Sequence, residues 1–527
     1  DMLALLSHCY LLADQVEEAK LHLEKATALA PDNASVGWNT VRLNLKEQKP
    51  LEALNVARNT SQRFPDDVEG MGVLRACLRA NGEVAESLEV LNKAIELNPD
   101  YAEALINRGL IRLSQENKTE AVADFELAHK LKPHIKQIWD LVVGLKVEAQ
   151  DYSDAIMLLI DMIEIDPEDE KRLATLALCY QHLKDFKASE ETYKKALTIK
   201  PDYASAHINL GSVLKDQGKL EEAIEAYNKA LAIKPDYAEA YNNMGNALQY
   251  QGKLEEAIEA YTKALAIKPD HAEAFWNLSG TTNNTLEAKD WIEHCLSADP
   301  KHEKARLMLC ALQFYEGDKS EFNALMRSSV REHPYMRSFA WAFGLPVLPE
   351  LYFHRWALFD RMVEQSKQDR PFYEYGVWRG EAFQHLIKTF KKGYGFDTFE
   401  GIPEDWHDEK AGTYSSDGNI PRIEGGEFIV GKFEDTLPEF FSEPRPMASI
   451  INFDADLYSS TICALNYSKP VIDKHTILIF DEFIMNKNWE QDEYKALNEF
   501  CSINNYTYEV LAISFFTKQA AIRLIGI

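Results

Sequence analysis

A proline recurs every 34 residues through much of the chain, and this fixed period constrains the fold more than any other feature. The prolines that share the spacing are Pro31, Pro65, Pro99, Pro133, Pro167, Pro201, Pro235 and Pro269. Pro300 follows 31 residues later, and Pro334 follows after a further 34. A constant period of this length is the signature of a solenoid built from repeated supersecondary units. The period therefore predicts an array of helix pairs.

Small residues recur within the period where two helices would approach each other. Those standing twelve positions before the proline are Ala19, Ala53, Ser87, Ala121, Ala155, Ser189, Ala223 and Ala257. Those standing five positions before it are Ala26, Ala94, Ala128, Ala196, Ala230 and Ala264. Small side chains at helical spacing allow close packing of antiparallel helices, and the proline ends the second helix of each pair.

The segment KPDYAEAYNNMGNALQYQGKLEEAIEAYTKALAIKP, residues 234–269, resembles the tetratricopeptide repeat. We expect an α-solenoid of about ten such repeats over residues 1–334. The ninth copy has lost three residues in TTNNTLEAKD and the tenth is degenerate, which is typical of repeats capped against another domain. The chain begins at Asp1 inside a predicted helix, so the first copy is expected to be truncated at its start.

An asparagine stands at one fixed place in five of the repeats, namely Asn39, Asn107, Asn209, Asn243 and Asn277. Its amide both donates and accepts hydrogen bonds, so a ladder of asparagines can bind the backbone of an extended peptide. The series resembles the asparagine ladder of O-GlcNAc transferase, although Val73, Leu141 and Thr175 interrupt it. We expect a protein or peptide partner here. The alternative left open is an array that only spaces and caps.

Bulk properties limit the partners and the location of the protein. A chain of 527 residues is too long for one core, so two or more domains are expected. The net charge of −27 argues against nucleic acid and anionic membrane surfaces as partners. No apolar run is long enough for a membrane span, and no signal peptide is recognisable. Seven widely spaced cysteines without a CxxC pair indicate free thiols and a cytoplasmic location.

After residue 334 the period stops. Residues 335–371 are predicted to be a linker with one amphipathic helix, LYFHRWALFDRMVEQ, that packs on the next domain. From residue 372 to 527 short apolar runs alternate with helical segments, which predicts a doubly wound, largely parallel α/β sheet. The predicted strands are FYEYGVW, GYGFD, EFIVGKF, ASIINFDAD, TILIFDEF, YEVLAIS and QAAIRLIGI. In such sheets ligands bind at the carboxyl ends of the strands.

The exit of the first of these strands carries an acid and two glycines, Glu374, Gly376 and Gly380. The glycines allow a tight turn with close approach of a ligand, and the acid can hold a cationic group. Asp397 ends the second strand, where a carboxylate can accept both hydroxyls of a ribose. Together these residues predict a site for S-adenosylmethionine rather than for a dinucleotide, which would require GxGxxG.

Four motifs in this region resemble the macrocin O-methyltransferase family, metal-dependent class I methyltransferases with a Rossmann-like fold that act on sugar hydroxyls. The motifs are GFDTFEGIPEDW, GKFEDTLPEF, INFDADLYSST and FDEFIMNKNWEQDEYKALNEF. The resemblance implies that Glu374, Gly376 and Gly380 hold the methionine part of S-adenosylmethionine. It also implies that Asp397 binds the ribose and that Phe433 and Glu434 flank the adenine.

Three carboxylates at the predicted sheet edge form a candidate metal site. Asp454 ends one strand, and Asp481 and Glu482 end its neighbour. Converging carboxylates repel one another unless a cation lies among them, and their oxygens suit Mg²⁺. The arrangement resembles catechol O-methyltransferase, in which the metal binds the acceptor hydroxyl.

The candidate general base is Asp454, because the catechol enzymes' lysine is replaced here by Leu457. Asp456 is a second candidate, and the alternative is that it caps the following helix. His407, in the loop WHDEKAGTYSSDG, is a further candidate base or lid residue, or a solvated histidine.

The sequence thus predicts a Mg²⁺-dependent O-methyltransferase that uses S-adenosylmethionine. Its acceptor is expected to be a sugar hydroxyl of a glycan or a small glycosylated metabolite, and the array is expected to recruit a protein partner. One alternative is methylation of a peptide held in the repeat groove, and another is a non-catalytic scaffold. A homo-oligomer is compatible with methylation of either a sugar or a peptide.

Overall fold

The computed structural model describes residues 2–132, 135–407 and 409–526. The chain divides into two compact units, unit 1 from Asp1 to Asp185 and unit 2 from Phe186 to Ile527. Pro133 of the proline series lies outside the described residues. The boundary between the units falls inside the repeats, whereas the sequence pattern places a domain boundary at residue 334.

Unit 1 consists of helices joined by short turns. They are α1 (Met2–Leu12), α2 (Val16–Leu29), α3 (Ala34–Lys46), α4 (Pro50–Arg63), α5 (Val68–Ala80), α6 (Val84–Leu97), α7 (Ala102–Ser114), α8 (Lys118–Leu131), α9 (Lys136–Glu148), α10 (Tyr152–Ile165) and α11 (Glu170–His182). Helices α2, α4, α6 and α10 each end two residues before a proline of the series. The predicted helix pairs are therefore confirmed.

Unit 2 begins with further helices of the same kind. They are α12 (Phe186–Ile199), α13 (Ala204–Asp216), α14 (Leu220–Ile233), α15 (Ala238–Tyr250), α16 (Leu254–Ile267), α17 (Ala272–Ser279), α18 (Thr285–Ala298), α19 (Glu303–Tyr315), α20 (Ser320–Leu325) and α21 (Pro334–Phe343). The small residues predicted to lie between helices are buried throughout both units. The lost residues of the ninth repeat shorten α17 to 8 residues, against 13 in α15.

The remainder of unit 2 alternates strands and helices. In order they are β1 (Glu350–Tyr352), α22 (Arg355–Gln365), β2 (Phe372–Tyr375), α23 (Glu381–Phe390), β3 (Gly393–Asp397), β4 (Gly426–Val430), α24 (Phe433–Phe440), β5 (Ile450–Phe453), α25 (Tyr458–Ser468), β6 (Ile477–Phe480), α26 (Glu493–Asn504), β7 (Thr507–Ser514) and β8 (Ala520–Ile525). Short 3₁₀ helices occur at Ser329–Glu332, Lys469–Val471 and Trp489–Gln491.

The strands form one sheet in the order β1-β7-β8-β6-β5-β2-β3-β4. All neighbouring strands are parallel except that β8 is antiparallel to both β6 and β7. The predicted largely parallel sheet is therefore observed. The strand order reverses at β2, which lies between β3 and β5. In α/β sheets the carboxyl ends of the strands at such a reversal are the usual position of a ligand.

Two apolar clusters pack on the sheet, because successive side chains of each strand point to opposite faces. On β2, Phe372 belongs to one cluster, with residues of α22 and α23. Tyr373 and Tyr375 belong to the other, with residues of α24, α25 and α26. This second cluster continues into α18, α19 and α21, so the last repeats share a hydrophobic core with the sheet.

The segment predicted to be a linker is part of this fold. It contributes β1, which pairs with β7 and which the sequence pattern missed. The amphipathic helix begins at Arg355 rather than Leu351, because the His354 ring nitrogen caps it by accepting from Ala357 N–H at 3.2 Å. The interpretation of its aromatic face is confirmed, since Phe353 and Phe359 are fully buried.

The structure bears on two of the bulk predictions. All seven cysteines are free thiols, as the sequence predicts. Within the part of the chain that the structure describes, no helix is long and apolar enough to cross a membrane.

Candidate active site

The predicted ligand-binding residues of unit 2 gather at the carboxyl ends of β2, β3, β5 and β6, and we call this region the strand-end site. At its centre the chain of β2 comes very close to the chain that follows β5. Gly376 has φ +87°, and a Cβ there would lie 1.8 Å from the carbonyl oxygen of Asp454. Only glycine fits this crossing. The glycine that the sequence singled out is therefore required by the backbone itself.

Asp397 fixes residues 376–380, which we call the 376–380 loop, through hydrogen bonds to its carboxylate. One oxygen of the Asp397 carboxylate accepts the backbone N–H groups of Val377 and Trp378, both at 2.7 Å, and the other accepts Phe399 N–H at 2.6 Å. A carboxylate has about four acceptor sites, so most of this group's capacity is used within the protein. Asp397 orders the loop, and its predicted contact with a ribose remains a prediction.

Glu374 is buried on β2, with 1% of its surface exposed. Its Oε2 atom has no hydrogen-bond partner among the described residues. Burial raises the pKa of this carboxyl well above its ordinary value, against an opposing effect of Arg355. A buried carboxyl with an unsatisfied oxygen is unusual in a folded protein and indicates a ligand or proton at that position.

Asn452 on β5 is a functional candidate that the sequence interpretation missed. It pairs with Glu374 across the two strands, so both side chains lie on the same face of the sheet. Asn452 is fully buried, and neither its Nδ2 nor its Oδ1 atom has a partner within the described ranges. Glu374 and Asn452 are thus two neighbouring buried polar groups with unpartnered atoms at the strand-order reversal. The asparagine between two apolar residues in INFDAD was the available signal.

Asp481 at the end of β6 is paired with Arg355 of α22. The guanidinium contacts one Asp481 oxygen, which also accepts from Gln519, and it lies 3.9 Å from the Asp454 carboxylate. Although burial lowers the pKa of Arg355, Asp481 and Asp454 outweigh it and raise that pKa. The pKa of Asp454 is raised by burial and by repulsion from Asp481, despite Arg355. A cationic side chain thus lies where the sequence predicts a metal ion.

Glu482 is paired with a different cationic side chain, Lys518. Its carboxylate contacts Lys518 Nζ at 2.9 Å and accepts from Asn486 at 2.6 Å. Within the described residues, no group of three or more histidine, cysteine, aspartate or glutamate side chains is arranged to hold a metal ion. Two of the three predicted ligands, Asp481 and Glu482, are thus already paired with cationic side chains, Arg355 and Lys518. The magnesium site remains a prediction.

Asp456 does not cap the helix that follows it. Helix α25 begins at Tyr458, with Leu457 in the capping position and no side-chain cap bond. Asp456 has φ +58°, and burial together with repulsion from Glu482 raises its pKa well above the ordinary value. The capping interpretation is therefore wrong, and Asp456 is one of several acids that converge on the strand-end site.

Glu493, at the start of α26, is a further acid of the strand-end site that sequence reasoning missed. It is fully buried, one carboxylate oxygen accepts the Glu482 backbone N–H at 3.1 Å, and the other oxygen lacks a partner in the described part of the chain. Burial and repulsion from Asp456 and Asp481 raise its pKa. Its position inside a helical motif gave no sign of this role.

The loop before β4 lies beside the site. His407 contacts the Asp492 carboxylate through Nε2 at 2.8 Å, so it is partnered rather than simply solvated. The ring of Tyr414 lies 6.0 Å from that of Trp378 in the 376–380 loop. Asp408 lies outside the described residues.

The predicted adenine-flanking residues begin α24. Phe433 is buried and packs edge-on against Tyr375, with ring centroids 5.5 Å apart, whereas Glu434 is exposed. Their predicted contact with adenine remains a prediction.

The asparagines predicted to line a groove differ in their availability. Asn39 is buried, donates to the Ala4 carbonyl at 2.7 Å and accepts from Arg42, so it has no free amide group for a peptide. Asn107 donates to its own helix at Glu103. In unit 2, Asn209, Asn243 and Asn277 are partly exposed, and Asn277 donates to Asn242 at 2.9 Å. The ladder interpretation does not fit Asn39.

Comparison with known proteins identifies the repeats. A profile described as TPR repeat matches residues 78–116, 180–218 and 211–252. Profiles described as Tetratricopeptide repeat match residues 238–271, 1–33 and 102–135. All these segments lie within the first 271 residues.

Similar proteins share only part of the chain. The N-terminal acetyltransferase A complex auxiliary subunit NAA15 of Arabidopsis thaliana is 28% identical over 120 residues, which cover 22% of this chain and 13% of that protein. Protein O-mannosyl-transferase TMTC3 of Homo sapiens is 24% identical over 226 residues, covering 39% of this chain and 25% of that protein. This chain therefore spans at most a quarter of the length of either relative.

A solved structure, "Structure of Naa15/Naa10 bound to HypK-THB", is similar with a TM-score of 0.38 and 16% identity. The alignment covers 58% of this chain and 51% of that one. From the matched profiles and the observed helix pairs we conclude that the protein contains an array of tetratricopeptide repeats.

Proposed function

We propose that the protein is an S-adenosylmethionine-dependent O-methyltransferase whose repeats recruit a protein partner. The observation that carries the proposal is the buried, unpartnered carboxyl of Glu374 beside the tight Gly376 crossing. This pair lies where the strand order reverses, the usual ligand position in α/β sheets. The resemblance to macrocin O-methyltransferases supports the choice of ligand.

The residues present suit this cofactor. Its ammonium group would satisfy the free Glu374 oxygen. The Gly376 crossing would keep the backbone of β2 and of the segment after β5 close together beside this oxygen. Asp397 would hold the ribose while it orders the 376–380 loop. When bound, S-adenosylmethionine supplies a methyl group that an acceptor oxygen can take in line.

Asp454 is the candidate base at the site. Its Oδ2 atom would receive the proton of the acceptor hydroxyl, and a raised pKa brings a carboxylate nearer to the ideal range for a general base. Arg355, 3.9 Å away, would hold this carboxylate in place before the reaction. Much of the remaining rate enhancement would come from holding the acceptor oxygen in line with the methyl group.

A sugar hydroxyl is the proposed acceptor, on the resemblance to the macrocin family alone. The loop that contains Trp406, His407 and Tyr414, beside the 376–380 loop, is the part of the site that would select it. Methylation of a peptide held by the repeats is the second candidate. The partly exposed asparagines of unit 2, Asn209, Asn243 and Asn277, favour it.

The proposed partner of the array is a protein, because tetratricopeptide repeats present extended surfaces for binding. A cytoplasmic location and a homo-oligomer are part of the same proposal.

Isothermal calorimetry with S-adenosylmethionine on the full chain tests the proposal. The wild-type protein should bind, and Glu374→Gln should bind about tenfold more weakly or worse, because a charge-assisted hydrogen bond is lost. Glu427→Gln is the matched control, since Glu427 is exposed on β4 of the same sheet and should leave the affinity unchanged. If the wild-type protein does not bind, both enzyme proposals fall and the scaffold alternative gains.

A further inference from the structure

One turn position in the repeats adopts left-handed backbone every 34 residues. The residues at this position have φ between 58° and 78° and are Asp14, Gln48, Gly82, Glu116, Gln150, Lys184, Gly218 and Gly252. Five of the eight are not glycine, so the turn conformation alone does not require one. The glycines at this position therefore need another explanation, and in unit 2 the structure provides it.

Gly218 lies directly against the 376–380 loop. A Cβ at Gly218 would come within 2.2 Å of the Trp378 ring and 2.9 Å of Arg379 Cδ. At Gly82, in the same place of another repeat, no described atom lies within 4 Å of such a Cβ. Gly218 is thus glycine because the Trp378 ring occupies the space that a side chain would need.

A hydrogen bond ties the same two segments together. Arg379 Nε donates to the carbonyl oxygen of Gln217 at 2.9 Å. The Gln217 side chain in turn donates to Glu190 at 2.9 Å, and Lys219 contacts Glu190 at 2.8 Å. The turn is therefore also held by α12 of the preceding repeat.

Trp378 is constrained from the other side as well. Its backbone N–H donates to Asp397, and its φ of +50° is strained for a residue with a side chain. Such a conformation persists only where neighbouring groups enforce it. Here the Asp397 carboxylate binds the Trp378 backbone, and the Gln217–Gly218 turn packs against the Trp378 ring.

The next two repeats make similar contacts with the α/β part of unit 2. Gly252 lies 3.1 Å, measured from its ideal Cβ, from the ring nitrogen of Trp356, which donates to the Gln249 carbonyl at 3.4 Å. In the repeat after that, Trp276 stacks on Phe516 with centroids 5.1 Å apart. Three consecutive repeats thus each contact one aromatic residue outside the array.

We infer that the Gln217–Gly218 turn positions the cofactor site, with Trp378 and Arg379 as the positioning residues through which it acts. This inference rests on the proposed function and deepens it. The repeat array is then part of the machinery that binds S-adenosylmethionine, and a partner that shifts this repeat changes the affinity for the cofactor.

The test compares Gly218→Ala with Gly82→Ala in the full chain. Both place a side chain at the same left-handed turn, but only the first collides with Trp378. Gly218→Ala should weaken S-adenosylmethionine binding about tenfold by calorimetry. It should also speed amide hydrogen exchange in residues 376–381. Gly82→Ala should change neither. Wild-type affinity and exchange in Gly218→Ala would overturn the inference.

A rescue variant distinguishes positioning from general damage. Trp378→Leu leaves room for the Cβ at residue 218, so adding Gly218→Ala to Trp378→Leu should cause no further loss of affinity. Additive losses would contradict the inference. If Gly218→Ala does not fold, Arg379→Gln replaces it, and unchanged exchange in residues 376–381 of that variant would overturn the inference. If the wild-type protein binds no S-adenosylmethionine, the proposed function fails, whereas the exchange measurements still decide the positioning role.

Discussion

The repeats of unit 1 and the last repeats of unit 2 follow one sequence pattern but bury their apolar residues differently. In unit 1 the buried residues form small separate clusters, each confined to neighbouring helices, such as the one around Trp38 and Leu74 and the one around Trp139 and Leu159. In unit 2 the residues of α18, α19 and α21 belong to the same cluster as Tyr373 of the sheet.

This difference shows that the repeat consensus does not predict whether a repeat packs only on its neighbours or also on another part of the protein. Clusters confined to neighbouring helices make repeats nearly independent, so one can change with little effect at a distance. A core shared with the sheet makes the last repeats structural parts of the α/β region. The truncation that the sequence suggests, at residue 334, would cut through this core.

The largest expected effect is therefore that of a deletion that cuts through the shared core. Removing residues 1–334 takes away α18 and α19, keeps most of α21, and exposes the part of the shared core that α18 and α19 cover. Each large apolar side chain exposed costs about 1.5 to 3 kcal/mol, and a domain has only about 5 to 15 kcal/mol in total. We expect this fragment to be unfolded or aggregated by circular dichroism and gel filtration.

Removing residues 1–168 is the matched deletion, because it keeps unit 2 and the whole repeat that overlaps its start. This fragment should fold and should bind S-adenosylmethionine with the affinity of the full chain. A well-folded, cofactor-binding 335–527 fragment would contradict the shared core, and the comparison would fail.

A pair of single substitutions gives the next largest effect. Phe339 on α21 is fully buried and packs edge-on against Phe515 at 4.7 Å, in the shared core. Phe125 on α8 is fully buried in a cluster of unit 1. Replacing either by alanine should cost about 3 to 5 kcal/mol. Hydrogen exchange should rise across the sheet for Phe339→Ala but stay local to unit 1 for Phe125→Ala. Equal spread of the two effects would contradict the comparison.

Periodicity predicted the repeats well because each helix pair is specified by local spacing. The small residues, the proline positions and the shortened α17 all followed from the sequence. The strands of the α/β part were also predicted, since apolar runs such as ILIF are short and fully buried. Only β1 was missed, because three residues in an aromatic segment carry too little pattern.

The candidate site was predicted less completely, because charge compensation depends on long-range contacts. The sequence identified Asp454, Asp481 and Glu482 but assigned a metal ion to balance them. Arg355 is 126 residues from Asp481 in the chain, and nothing in a helical segment indicates such a pairing. Asn452 and Glu493 were missed for the same reason, since burial of a polar side chain is visible only in the fold.

Arg355→Met tests this compensation with a smaller expected effect. It leaves Asp481 buried without its cation, which should destabilise the protein by about 3 kcal/mol. Arg361→Met, in the same helix but paired with the exposed Glu350, should cost much less stability, because water screens a surface ion pair. Urea unfolding measures both. Equal losses of stability would show that the Arg355–Asp481 ion pair stabilises the protein no more than an exposed ion pair does.

Magnesium titration of the same variants decides the metal prediction. Calorimetric binding of Mg²⁺ to the wild-type protein that Asp454→Asn abolishes would show that the predicted carboxylates bind the ion although Arg355 is present. Binding to Arg355→Met alone would show that the guanidinium takes the place of the ion.

The smallest effect concerns the pH dependence of Glu374. Its pKa is raised in the folded protein, so the folded state binds this proton more tightly than the unfolded state. The stability that this proton contributes is complete below the unfolded pKa of about 4.3 and is lost as pH rises through the folded pKa. Glu374→Gln removes the titration, so the variant should be more stable than wild type at pH 8. We expect Tm to rise by about 2 to 4 °C, the shift that corresponds to about 1 kcal/mol.

The gain in Tm should shrink at pH 5, where the wild-type carboxyl keeps its proton. Glu427→Gln, at an exposed position of the same sheet, should show no such pH-dependent gain. Thermal unfolding at the two pH values measures both variants. A gain at pH 5 as large as at pH 8 would show that the Glu374 carboxyl is not titrating, and that its unpartnered oxygen is satisfied in another way. A stabilised variant that also loses the cofactor would show that the protein keeps an unfavourable buried acid at this position for binding.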